Sequence, residues 1–316
     1  MRMMTSLQSE PNIKDSQNGL LRSIAIGGAV IALVFLVPIF QWLLLGVRSE
    51  IQSYLLLIPV ISVYLVWSRK EETPWEAGVS MSACLAWGTF GVISGLLYLA
   101  SHARGLILPQ ADALTFALAS LVCFVNCLAA GHLSARTRVA LRFPLLFLFL
   151  SVPMPHAMQE GMETFLQHAS AEVTEWFFIA TRMSHVRDGL IFQLPGISIR
   201  VAQECSGIRS TLVLFITSLV AGHLMLQSTA NRVGLVIATW VLGIIRNAFR
   251  ILVISWLCVE KGPHMIDSAI HRQGGPLFFL VSLLPLGGLL WLMVRTESRR
   301  RSPAVPPGSA PAVKCP

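Results

Sequence analysis

The chain has 316 residues, of which 54% are hydrophobic and 13% charged, with a mean hydropathy of +0.66 and a formal net charge of +8. Soluble domains carry about a quarter of their residues as charge, so a water-facing surface over most of this molecule is excluded and lipid must cover much of it. The positive charge does not make it a nucleic-acid binder: the basic residues stand in short clusters between apolar runs, with no contiguous basic face for phosphates.

Residues 1–20 are polar and irregular, carry no cleavable signal pattern, and read as a disordered cytoplasmic start. Apolar runs then predict an all-α polytopic bundle of about eight spans. They lie at roughly 21–46, 51–67, 81–100, 111–133, 139–153, 205–226, 233–259 and 276–294, so that one transmembrane domain covers 21–294. The stretch 295–316 is rich in Arg, Pro and Ala and reads as a disordered cytoplasmic tail. Arg69–Lys70, Arg136–Arg138–Arg142, Arg232 and Arg299–Arg300–Arg301 fall in alternate connections. With Arg2, Lys14 and Arg22 they place both termini in the cytoplasm and turn 154–204 and 260–275 outward.

Between the fifth and sixth spans, Met158 to Arg182 repeats apolar residues at three- and four-residue steps: Met162, Phe165, Leu166, Ala169, Val173, Trp176 and Phe177. That period predicts an amphipathic helix lying at the membrane surface or against the bundle. Gly189 to Gln203 holds two β-rich pieces around Pro195–Gly196, a turn dipeptide, and predicts a short hairpin. The hairpin delivers the chain to Cys205.

Of six cysteines, Cys84, Cys123, Cys127 and Cys258 lie inside apolar runs, where free cysteine packs as a small hydrophobe. Cys123 and Cys127 share a helical face but have no evident partner. Gly88, Gly91 and Gly95 suit close helix contact. No Cys-x-x-Cys pair or His-Glu-x-x-His run indicates a metal, and no cofactor is called for.

Three polar groups stand where an apolar chain would not place them cheaply. Glu204-Cys205-Ser206-Gly207-Ile208-Arg209 opens the sixth span, where the positive end of a helix lowers a thiol's pKa. Arg209 would follow Cys205 by one helical turn on the same face. Arg246 and Arg250 share a face of the seventh span, each costing about 2.5–3.5 kcal/mol at a helix centre. Such residues point into a cavity by default. His271, before the eighth span, is a candidate proton carrier, with His156, His185 and His264 as outward-facing competitors. Short connections force the sixth, seventh and eighth spans to be neighbours. A thiolate, a cation and an acid/base then converge at the outer face, which are the parts of cysteine acyl transfer.

At these residues the sequence resembles the exosortase/archaeosortase family of multi-spanning membrane transpeptidases. The resemblance runs over about 140–290, through Phe143-Pro144-Leu145, Val152-Pro153-Met154-Pro155, Val201 to Arg209, Asn247-Ala248-Phe249-Arg250-Ile251, and His271 with Gly274-Gly275. It implies Cys205 as nucleophile, Arg250 as stabilising cation and His271 as acid/base, in a multi-pass protein of the bacterial inner membrane. Arg209, Arg246 and Asn247 stand beside them as substrate-binding candidates. The partners it implies are exported proteins ending in a short Pro-Glu-Pro-like motif, a hydrophobic span and a basic end, together with an acceptor whose identity it leaves open. The competing reading is a non-enzymatic polysaccharide-export or transporter subunit that uses Arg246 and Arg250 to bind an anionic ligand.

Overall fold

The computed structural model describes residues 13–49, 51–103, 109–201, 207–262, 264 and 269–301. Its internal contacts form two compact units, one ending at Glu160 and one beginning at Gly161.

The first unit opens with α1 (Ile13–Val34) and α2 (Leu36–Arg48), set at 74° to each other. Pro38 has no N–H to donate to Val34 and its ring crowds that carbonyl, so the run read as one span breaks at Phe35. A 3-10 turn (Ser53–Leu56) leads into α3 (Leu57–Ser68). The long pair α4 (Met81–Ala103) and α5 (Gln110–His132) follows, then α6 (Ala135–Ala140), α7 (Arg142–Phe147) and a second 3-10 turn (Leu148–Ser151). Ser134 caps α6 by accepting the Thr137 N–H at 3.3 Å.

The α4–α5 contact is made by small residues, as the glycine spacing predicts. A Cβ on Gly91 would stand 3.3 Å from Cys123 Cβ, and one on Gly95 would stand 3.1 Å from Ser120 Oγ. Ser120 and Ser94 hydroxyls donate across the pair to the carbonyls of Gly91 and Phe116, at 2.7 and 2.8 Å. Cys127 does have a partner here: its Sγ lies 3.1 Å from Cys84 Sγ, both thiols free. In α5, 56% of the most apolar stretch is buried, against 6% in α4, so α5 is central and α4 peripheral.

In the second unit α8 (His156–Ala180) carries most of its length, followed by β1 (Val186–Asp188), β2 (Ile191–Leu194) and β3 (Ile197–Arg200). The expected hairpin is present, with Gly196 at φ +82° in its turn, and β1 extends it to a three-stranded antiparallel sheet. Phe178 of α8 meets Phe192 of β2 edge-on at 5.2 Å, in a core with Val201 and Ile251. Arg187 donates to Glu172 and Glu175 at 2.6 and 2.5 Å. That hydrogen bond is the main reason the Glu172 carboxyl is held below the usual carboxylate range.

Three helices complete the unit: α9 (Ile208–Met225), α10 (Thr229–Lys261) and α11 (Ala269–Arg301). Each touches the other two, as the short connections predict. Glu297 of α11 caps α10 from outside, accepting the N–H groups of Gln227 and Ser228 at 2.9 and 3.1 Å.

The chain is thus a helical membrane bundle with a small sheet, and its apolar segments fall where eight spans are expected. Five helices are long and apolar enough to cross a membrane, and the bent α1–α2 pair is a sixth. Ser53–Ser68 and Arg142–Ser151 are apolar but shorter. At 1.5 Å per residue they fall short of the ~30 Å hydrocarbon core. Helix also reaches beyond the expected span ends, from Ile13 in α1 and to Arg301 in α11.

Candidate functional site

Of the apolar stripe of α8, Leu166 is buried, whereas Phe165 and Trp176 are 59% and 70% exposed, as suits a helix whose apolar side lies at the membrane surface. The buried face is Glu163, Leu166, Gln167, Ser170, Ala171, Thr174 and Phe178. It is turned by about one residue, or ~100°, from the apolar stripe. The cause is the solvent. A helix beside lipid can leave aromatic and aliphatic side chains outward, while its polar groups seek partners inside the protein.

Those partners are known for two of the polar residues. Gln167 Nε2 donates to the Val201 carbonyl at 2.7 Å, and Asn247 Nδ2 of α10 donates to Ser170 Oγ at 3.0 Å. Val201 is 1% exposed and Asn247 2%. The last described residue before Cys205 is therefore fixed by α8, and the asparagine read as substrate-binding is also tied to α8.

The first described residue after Cys205 is fixed by α10. Gly207 caps α9 in the left-handed conformation, φ +70°. Its carbonyl accepts from Thr211 N at 3.0 Å, Thr211 Oγ1 at 2.9 Å and Arg246 Nη2 at 3.3 Å. A Cβ at this position would stand 3.0 Å from both Arg246 Nη2 and Asn247 Oδ1. Only glycine meets both the dihedral and the clearance, so the small residue of the Cys-Ser-Gly run lets the backbone lie directly on Arg246 and Asn247. Arg246 Nη1 is buried with no hydrogen-bond partner among the described residues.

The candidates are thus placed as follows. Arg246 and Asn247 meet the segment that follows Cys205. Arg250 is half-buried one turn further along α10, about 6 Å in rise, beside Ile251, which packs on the sheet. Arg209 is exposed. Because α9 begins at Ile208 and Gly207 is left-handed, the helical register expected between Cys205 and Arg209 does not exist. The positive end of α9 nevertheless opens three residues after Cys205. His271 lies in the first turn of α11 and not in a loop, since that helix starts at Ala269. Cys205 and the side chain of His271 lie outside the described residues.

The competing histidines are engaged elsewhere or stand apart. His185 packs its ring 5.2 Å from Phe178 and hydrogen-bonds the Met183 carbonyl at 2.9 Å. His156 belongs to the first unit, where it faces Glu160 at 3.5 Å and its N–H donates to Asp112 Oδ1 at 2.7 Å. His264 is exposed, just past the end of α10.

Gln167, Ser170 and Glu163 are residues the sequence reading passed over. A signal was available, since Glu163, Gln167, Ser170 and Thr174 recur at helical spacing on the face of α8 beside the apolar one. In a chain this apolar, that polar stripe marks the inside.

Neither curated proteins nor solved structures gave a match to this chain. The sequence pattern of transmembrane exosortases does match, over residues 42–288. That interval runs from α2 to α11 and takes in both units, α8 with its sheet, and the Arg246–Arg250 stretch of α10. The chain belongs to the transmembrane exosortase family.

Proposed function

We propose that this multi-pass exosortase is a cysteine transpeptidase that cuts the C-terminal sorting signals of exported proteins at the outer face of the inner membrane. The observation that carries the reading is the packing of Gly207 on Arg246 and Asn247. Cys205 is two residues from Gly207, a span of at most ~7 Å. Since Arg250 is only one turn beyond Arg246, two guanidiniums lie within reach of the thiol's neighbourhood. Cation proximity and the nearby N-terminus of α9 both favour thiolate.

The Cys205 thiolate attacks the scissile carbonyl carbon of the sorting motif. A C–S bond forms, and Arg250 stabilises the negative charge that develops on the carbonyl oxygen. As the C–N bond breaks, the departing amine takes a proton from His271, releasing the hydrophobic span and basic end of the signal. An acceptor amine or water then gives a proton to His271 as it attacks the thioester, and the C–S bond breaks to release the thiolate. Arg209 and Arg246 bind the substrate backbone or motif in this scheme, while buried Asn247, tied to Ser170, holds the Gly207 segment in position.

Cells co-expressing a protein with a Pro-Glu-Pro-type tail test the reading. Cys205→Ala and Arg250→Ala enzymes should insert normally and leave the tail uncleaved. In intact cells a membrane-impermeant thiol probe should label Cys205. Wild-type-like processing by Cys205→Ala would sink the proposal. An unreactive Cys205 would favour an anion-binding transport role for the arginines.

A further inference from the structure

The first unit holds a cavity of about 360 Å³ with no role in the chemistry above. It opens at the end of the helix pair where α4 begins and α5 ends. Trp87 lies six residues inside α4 and Asn126 six residues from the end of α5. The cavity therefore reaches about 9 Å into the bundle from that end. Ala129, Ala130, Leu145 and Leu146 are among its apolar walls, and Arg138 and Arg142 stand at its rim.

Among the described residues the two arginines have no counter-charge of their own. The one ion pair nearby joins Glu76 to Arg136, at 3.9 Å. Among the described residues neither Arg138 nor Arg142 has a carboxylate within 4.0 Å. Arg138 Nε is buried with no hydrogen-bond partner among the described residues. A buried guanidinium N–H without an acceptor is unfavourable, so its position calls for an acceptor that the described residues do not supply. The connection is cationic on the side that the distribution of Lys and Arg assigns to the cytoplasm.

We infer that this cavity binds the headgroup of an anionic membrane phospholipid, with Arg138 and Arg142 on the phosphate and the apolar walls along the upper acyl chains. Bidentate guanidinium–phosphate contact satisfies Arg138 Nε, and basic pockets between transmembrane helices on the cytoplasmic side suit anionic headgroups. A free phosphate would supply the charge but would leave the alanine and leucine walls unmatched. A phospholipid matches both.

The whole purified protein in a neutral detergent tests this by its melting temperature. Dioleoyl phosphatidylglycerol should raise Tm by about 4 °C or more, whereas dioleoyl phosphatidylcholine and 10 mM inorganic phosphate should not. The shift should vanish in Arg138→Gln/Arg142→Gln and survive in Arg138→Lys/Arg142→Lys and in Arg136→Gln. Arg142 is exposed, so Arg142→Gln alone keeps the fold and should lose at least half the shift. The proposal is overturned by an equal shift with phosphatidylcholine, by inorganic phosphate reproducing the effect alone, or by an undiminished shift in Arg142→Gln.

Discussion

The α4–α5 pair and the α8–α10 wall solve the same problem in opposite ways. Between α4 and α5, glycines and alcohols let two apolar helices approach, and the hydrogen bonds run from Ser94 and Ser120 to backbone carbonyls. Between α8 and α10, polar side chains are buried against one another and against the chain on both sides of Cys205. In the first place lipid can lie on almost every outward side chain, so small size decides the contact. In the second, Phe165 and Trp176 face out while Gln167, Ser170 and Asn247 are buried beside Leu166 and Phe178, so hydrogen-bond capacity decides the contact together with apolar packing. The lesson is that apolar periodicity alone does not say which face of a helix meets protein when lipid can cover the other.

The sharpest way to break this contrast is Asn247→Leu. It removes the donor to Ser170 and the oxygen beside Gly207 while keeping an inserted apolar helix. Processing should fall about a hundredfold, roughly 3 kcal/mol, with unchanged membrane yield. Near-normal turnover would show that the polar wall is only packing. Gly91→Leu is the matching change in the other region. Its Cβ already meets Cys123 at 3.3 Å, so the added bulk should destabilise the pair by about 1–3 kcal/mol. It should lower melting temperature and yield, yet leave processing per folded molecule unaltered, and a selective loss of activity would contradict that separation. Gln167→Leu removes the single bond to Val201 and should reduce kcat by about tenfold, ~1.4 kcal/mol, with KM little changed. A pure KM effect would move Gln167 from positioning to substrate binding.

The smallest effect concerns Arg187. Glu172 has a depressed native pKa, so its pairing stabilises above the unfolded value near ~4.3 and is lost as pH falls through the native value. Glu172 is 60% exposed, so solvent screening keeps the contribution well under ~1 kcal/mol. Arg187→Gln should melt slightly below wild type at pH 7, and the gap should close as the solution is made acid and Glu172 is protonated in the folded state. A gap that widens in acid would reverse the assignment.

The legible part of the sequence was its largest feature and its smallest. Apolar runs located the long helices other than α8, which its three- and four-residue apolar spacing located, and Pro195–Gly196 located the hairpin turn with Gly196 in positive φ. The Gly88–Gly91–Gly95 spacing located the α4–α5 contact. Less legible were features that depend on a neighbour. Nothing before Pro38 announces a 74° bend, because the run is apolar throughout. The register expected between Cys205 and Arg209 failed because Gly207 adopts a left-handed cap and delays α9 to Ile208.

Composition and the spacing of charge by themselves determined a polytopic helical membrane protein, and the Cys-Ser-Gly, Asn-Ala-Phe-Arg and His segments identified its family. Only the tertiary structure decided which face α8 buries, and that Arg246 touches the Gly207 backbone. The physical reason is that transfer from water to lipid is written residue by residue along a chain. Which polar group answers which is settled only when two helices meet.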